Sequence, residues 1–158
     1  MPTRQGREQE HVEVTTAGRL TIQGSVEAGA TLRKGARLVV QGAATGPLLL
    51  ASDAVLDVQG ALNISEPADS RGLILVAGVI NGDFRHLLEP DGRLAVAAGT
   101  LLHDAGGYAS QVRADGSLEE LRQRNNDVSV DASVLVGYLR SEDRWVNLDQ
   151  LGTANSEH

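Results

Sequence analysis

Four histidines are the first residues to test for chemistry, at His11, His86, His103 and His158. A catalytic zinc site needs about three imidazoles converging on one ion with a coordination position left open. These four are far apart in the chain, and Asp104 stands beside His103. No metal site is expected. Ser110 with His103 and Asp104 makes a nominal nucleophilic triad, but no Gly-x-Ser-x-Gly elbow presents a serine on a strand-turn-helix. The glycines form no phosphate loop, because no Gly-Lys-Ser/Thr follows them and no Gly-x-Gly-x-x-Gly opens a helix. With no cysteine in the chain, disulfides, thiolate ligands and a cysteine nucleophile are excluded. The chain is therefore expected to be no enzyme and to carry no cofactor.

What the residues do form is a repeat. Leu20-Thr21-Ile22-Gln23-Gly24 returns after 18 residues as Leu38-Val39-Val40-Gln41-Gly42, then as Leu56-Asp57-Val58-Gln59-Gly60 and Ile74-Leu75-Val76-Ala77-Gly78. A period of six lies inside it. Leu20, Val26, Leu32, Leu38, Ala44, Leu50, Leu56, Leu62, Ala68, Ile74 and Ile80 are all apolar, whereas a chain that is 41% hydrophobic would supply only about four or five of eleven by chance. Two residues before most of these stands a glycine or alanine, as at Gly18, Gly24, Ala30, Ala36, Gly42, Ala54, Gly60, Gly72 and Gly78. Small residues there allow the backbone to bend sharply into the next strand.

Three six-residue segments predict a mainly β chain folded as a three-sided parallel β-helix, one coil per 18 residues, spanning 11–102. Successive coils then lie about 4.8 Å apart and like residues stack into ladders. Leu20, Leu38, Leu56 and Ile74 make one core ladder, and Ile22, Val40, Val58 and Val76 run beside it. Gln23, Gln41 and Gln59 are expected to stack as an amide ladder. The six-residue period suits either hand of coil.

Residues 1–10 are polar after Met1 and read as a disordered leader. At Phe84 the repeat breaks. The six-step rule would next place His86 inside, yet the echo Leu94-Ala95-Val96 comes two residues late. Residues 103–151 read as a small C-terminal α+β appendage. Ser117 to Glu120 forms a capping box that predicts a short helix to about Arg124, and 127–140 with 144–148 predict a β-hairpin. The tail 152–158 is polar and read as loose.

Val39, Val55, Leu73 and Leu75 fall at outward positions of the Leu-x-Val side and make a candidate interaction face. An apolar patch left open on a monomer is a liability, so this face is expected to be covered by Tyr138, Leu139, Trp145 and Val146 of the appendage, or by another chain. Glu119, Glu120, Arg122 and Arg124 are read as a solvated face.

The chain's charge of −7 disfavours nucleic acid, whose sequence-independent affinity comes from lysine and arginine. No apolar run approaches the roughly 20 residues needed to span a bilayer, so direct membrane insertion is not expected and a cytoplasmic protein is.

The alternation of Leu20-Thr-Ile-Gln-Gly24-Ser-Val26 with Leu73-Ile-Leu-Val-Ala-Gly78-Val-Ile-Asn-Gly82 resembles the bactofilin, or polymer-forming cytoskeletal, family over about Val12 to Phe84. The resemblance implies a right-handed β-helix without catalytic activity that assembles end to end into nucleotide-free bacterial filaments or scaffolds. The expected partner is then the chain itself. Two alternatives stay open: a monomeric acidic module that binds another protein in the manner of an inhibitor, and a hexapeptide-repeat acyltransferase. Residues following the inward aliphatic positions match the acyltransferase pattern only in part, at Asp57, Asn63, Asp69 and Asn81.

Overall fold

Each 18-residue phrase folds as it does because alternating aliphatic residues favour strands and the phrase is interrupted by small residues at fixed intervals. In a computed structural model, which describes residues 3–8, 11–64, 69–82, 93–103, 109–121, 130–139, 142 and 144–148, the phrases stack as coils of a β-solenoid. The first coil holds β1 (Thr3–Glu8) and β2 (Val12–Val14), and the second holds β3 (Arg19–Val26) and β4 (Ala30–Leu32). The third is divided into β5 (Arg37–Val40), β6 (Ala43–Gly46) and β7 (Leu48–Leu50). Next come β8 (Val55–Ile64) with β9 (Asp69–Ser70), then β10 (Leu73–Asn81), β11 (Arg93–Ala98) and β12 (Leu101–His103).

All pairings between coils are parallel. One wall joins β1, β3, β5, β8, β10 and β11 in that order, with β6 between β3 and β8 and β12 on β10; the remaining side is β2, β4, β7 and β9. Register is held to the residue, with Leu20 against Leu38, Leu38 against Leu56, Leu56 against Ile74 and Ile74 against Leu94. The expected core ladders are therefore real ladders. Ile22, Leu38, Val40, Leu56, Val58 and Ile74 have no measurable exposure, and Leu20 and Val76 keep 6% and 2%. On the second side Val26, Ala44, Leu62 and Ile80 continue the core, and on the third Leu32 and Leu50 do so.

Two corners repeat with the coil. At one, a tight turn closes through Gly18 N–H to the Thr15 carbonyl at 2.8 Å, Ala36 to Arg33 at 3.0 Å and Ala54 to Ala51 at 3.1 Å. At the other, a column of glycines brings backbone onto backbone. A Cβ on Gly42, Gly60 or Gly78 would lie 2.0–2.1 Å from the carbonyl oxygen of the glycine one coil earlier, and Gly60 also has φ +154°. Only glycine fits both demands.

Four expectations are corrected. Residues 1–10 are not a disordered leader throughout, since Thr3–Glu8 is a strand pairing in parallel with Thr21–Val26. Backbone hydrogen bonding on an existing sheet edge makes this strand without any aliphatic phrase of its own. The capping box does not start a helix either: Leu118–Leu121 is strand β14, antiparallel to β13 (Ala109–Val112), and Arg122 to Arg124 lie outside the described residues. A neighbouring strand edge overrides a local capping signal in so short a segment. The third side slips by two, so that Ser70 rather than Ala68 stands opposite Leu50; Ala68, His86 and the tail 152–158 lie outside the described residues.

The fourth correction concerns the appendage. Strand β15 (Asp131–Leu139) pairs antiparallel with β11, and β16 (Arg144–Asn147) pairs antiparallel with β15. Tyr138 stands opposite Leu94 and Val136 opposite Val96, on the inner face of the wall, so these residues extend the end of the core instead of covering its side. The expected hairpin is present, placed at an end.

Candidate functional site: the ends and faces of the coil stack

The C-terminal end is closed by side chains of the appendage. Tyr138 and Trp145 face each other across β15 and β16 with ring centroids 5.1 Å apart at a tilt of 53°, and both are buried together with Val112 and Val136. Aromatic pairs of this kind bury large area and prefer such tilted geometry. The turn between β13 and β14 meets β16 directly: a Cβ on Gly116 would fall 2.2 Å from the Trp145 carbonyl oxygen, and the Asn147 side-chain amide donates to the Ala114 carbonyl at 2.7 Å. The two antiparallel units thus lock over one end.

Beneath them the glycine column stops at Thr100. Its side chain has no exposure; the Gly78 N–H donates to its Oγ1 at 3.3 Å, and that hydroxyl donates to the Val76 carbonyl at 3.5 Å. A hydroxyl does here what the next coil's backbone does elsewhere. Two Asp-x-Ser turns sit in the same part of the chain. The Ser117 hydroxyl, and after it the Ser117 N–H, hold the Asp115 carboxyl below the usual carboxylate range, and Ser133 acts on Asp131 in the same way. Hydrogen bonds to the ionised form are the cause of both shifts.

The N-terminal end differs. Among the described residues β1 pairs with β3 alone, leaving its other edge open. Arg4 falls in the register column of Ile22 and Glu8 in the column of Val26, where the later coils carry aliphatic residues.

On the faces, the candidate residues divide. Val55, Leu73 and Leu75 are half-buried at outward positions, while Val39, between Thr21 and Asp57 in its column, keeps only 9% exposure. Exposed Arg19, Arg37 and Arg93 share the column of Val55 and Leu73, and Arg37 reaches Asp57 at 3.8 Å. Gln23, Gln41 and Gln59 stand exposed one coil apart. A side-chain ladder runs on the second side, where the Asn63 amide donates to Thr45 Oγ1 at 2.9 Å and the Asn81 amide donates to Asn63 Oδ1 at 2.7 Å. The recurrence of Thr45, Asn63 and Asn81 at 18 is the signal that would have located it. His103 stands in register with Asn81 at the end of that ladder.

Gln5-Gly6 precedes Gln23-Gly24 by 18 residues, and this is the signal of β1 that the absence of aliphatic residues obscures. His11 bridges the first two coils, 3.0 Å from the Ala28 carbonyl and 2.6 Å from Thr31 Oγ1. Among the described residues no three His, Cys, Asp or Glu side chains come together to hold a metal, and no helix is long and apolar enough to cross a membrane. Asp104 of the nominal triad lies outside the described residues. No protein-family model, curated protein or solved structure matches the chain.

Proposed function

We propose that this protein is a non-catalytic structural scaffold that self-associates through the open end of its coil stack. The observation that carries the reading is the inequality of the two ends: among the described residues β1 has an unpaired edge, and the opposite end is covered by β15, β16 and the Tyr138–Trp145 pair. An open parallel edge offers backbone donors and acceptors that another chain can complete. One open end makes closed pairs, whereas two would make filaments. The resemblance to bactofilins supports the scaffold role and a cytoplasmic, nucleotide-free assembly. It is the closed end that argues for pairs here.

Molar mass measured across a wide concentration range, beside electron microscopy of the same sample, tests this. A concentration-dependent dimer without filaments and without added nucleotide is expected. A monomer at every concentration overturns the reading.

A second reading rests on a separate observation. Val55, Leu73 and Leu75 form a half-buried apolar strip flanked by Arg37 and Arg93, which suits a different protein docking on the side of a monomer. Affinity capture that recovers a partner from wild type but not from Leu73→Asp would favour it.

A further inference from the structure

Two charges of β1 complement each other about Gly6. Arg4 lies two residues before Gly6 and Glu8 two residues after it, with opposite charges in register columns that later coils fill with Ile22, Val40 and Val58 and with Val26, Ala44 and Leu62. By register, β1 thus carries two charged residues at positions that an ordinary coil fills with aliphatic ones. Gly6 itself stands at the glycine corner and is exposed. The place its Cβ would take has nothing within 4 Å, whereas the same place on Gly24 is 1.9 Å from the Gly6 carbonyl oxygen.

These features suit one occupant, the same strand of a second copy turned through a two-fold axis. We propose that β1 pairs antiparallel with β1 of a second molecule, with Gly6 against Gly6 and Arg4 of each protomer opposite Glu8 of the other. An axis through the glycine corner exchanges the two sides that β1 spans, so one contact engages both. Two opposite-charge cross-strand pairs form at once, and each residue meets its complement in a self-complementary interface. The inference rests on the scaffold reading and specifies which surface does the associating.

A charge-swap series on the full chain, followed by sedimentation equilibrium, tests it. Arg4→Glu alone and Glu8→Arg alone each place like charges opposite one another twice, and each should raise the dimer dissociation constant by about ten-fold or more. An equimolar mixture of the two single variants should form a mixed dimer of nearly wild-type affinity, and so should the double variant Arg4→Glu/Glu8→Arg. Rescue by mixing also shows that the single variants are folded. A dimer that ignores all of these changes but is lost in Leu73→Asp overturns the strand pairing and leaves self-association through a face. Wild type that stays monomeric overturns both.

Discussion

The two ends of the stack solve one problem by opposite means. Any parallel coil leaves backbone groups and an aliphatic layer open at its last turn. At the C-terminal end the chain reverses direction, adds antiparallel strands and seals the layer with Val136, Tyr138 and Trp145. At the N-terminal end it keeps the parallel direction and changes the residues, putting Arg4 and Glu8 where the repeat has aliphatic ones. A seal made of rings is permanent and stabilising; an edge marked by charge stays available to the right complement. Stability and association are therefore expected to separate along the molecule.

The largest effect should come from opening the seal. Trp145→Ala is expected to cost about 3–5 kcal/mol in chemical denaturation, as for a large buried aromatic. Removing residues 1–9 should cost less than Trp145→Ala, because the segment has no aliphatic residue after Met1, yet it should abolish any dimer. Equal losses from both changes would erase the distinction between the ends. Next in size, Thr100→Val leaves the Gly78 N–H without its acceptor and should cost about 1–3 kcal/mol, with faster amide exchange at Gly78. Asn63→Ala interrupts the Thr45–Asn63–Asn81 ladder in the middle of the stack and should cost about 1 kcal/mol without altering either end.

The smallest effect is one of acidity. Asp115 and Asp131 have lowered folded-state pKa values, so what they contribute is present above the unfolded carboxylate range and is lost as pH falls through the folded values. Below about pH 4 the closed end should begin to loosen before the coils do, seen as earlier amide exchange in β13–β16 than in β3–β8. Ser117→Ala should return Asp115 towards its ordinary titration, followed by NMR. Unchanged titration would remove Ser117 as the cause.

The coils were legible because a ladder repeats its own requirements. Leu20, Leu38, Leu56 and Ile74 occupy one column, and each is subject to the same burial, so the pattern is stated four times. The ends are stated once each, which is why they were harder to read. Gln5-Gly6 carries the period, but the aliphatic signal on which strand recognition depends is replaced by charge. In the appendage, Ser117 and Glu120 satisfy a local helix rule, and the edge presented by β13 outweighs it. The shift from Ala68 to Ser70 leaves alternation intact, because a slip of two residues keeps every side chain on its own face. A side-chain ladder on the second side runs through Thr45, Asn63 and Asn81, whose spacing of 18 is as regular as that of the glutamines but is carried by mixed residue types.

Thr100 and the antiparallel strand β15 together give the stack a defined end. A stack of coils has no natural stopping point, since each turn prepares the surface for the next. Here the regular register ends where a threonine hydroxyl receives the Gly78 N–H, and the stack itself ends one coil strand later, where β15 pairs antiparallel with β11. Because Val55–Gly60 and Leu73–Gly78 are in register residue for residue, a second copy of residues 56–73 inserted after residue 73 should be accepted as one more turn. The particle would grow by about 4.8 Å and keep the same two ends. Its size is then a number of 18-residue phrases set between two unlike terminators, and can be written longer or shorter in whole units.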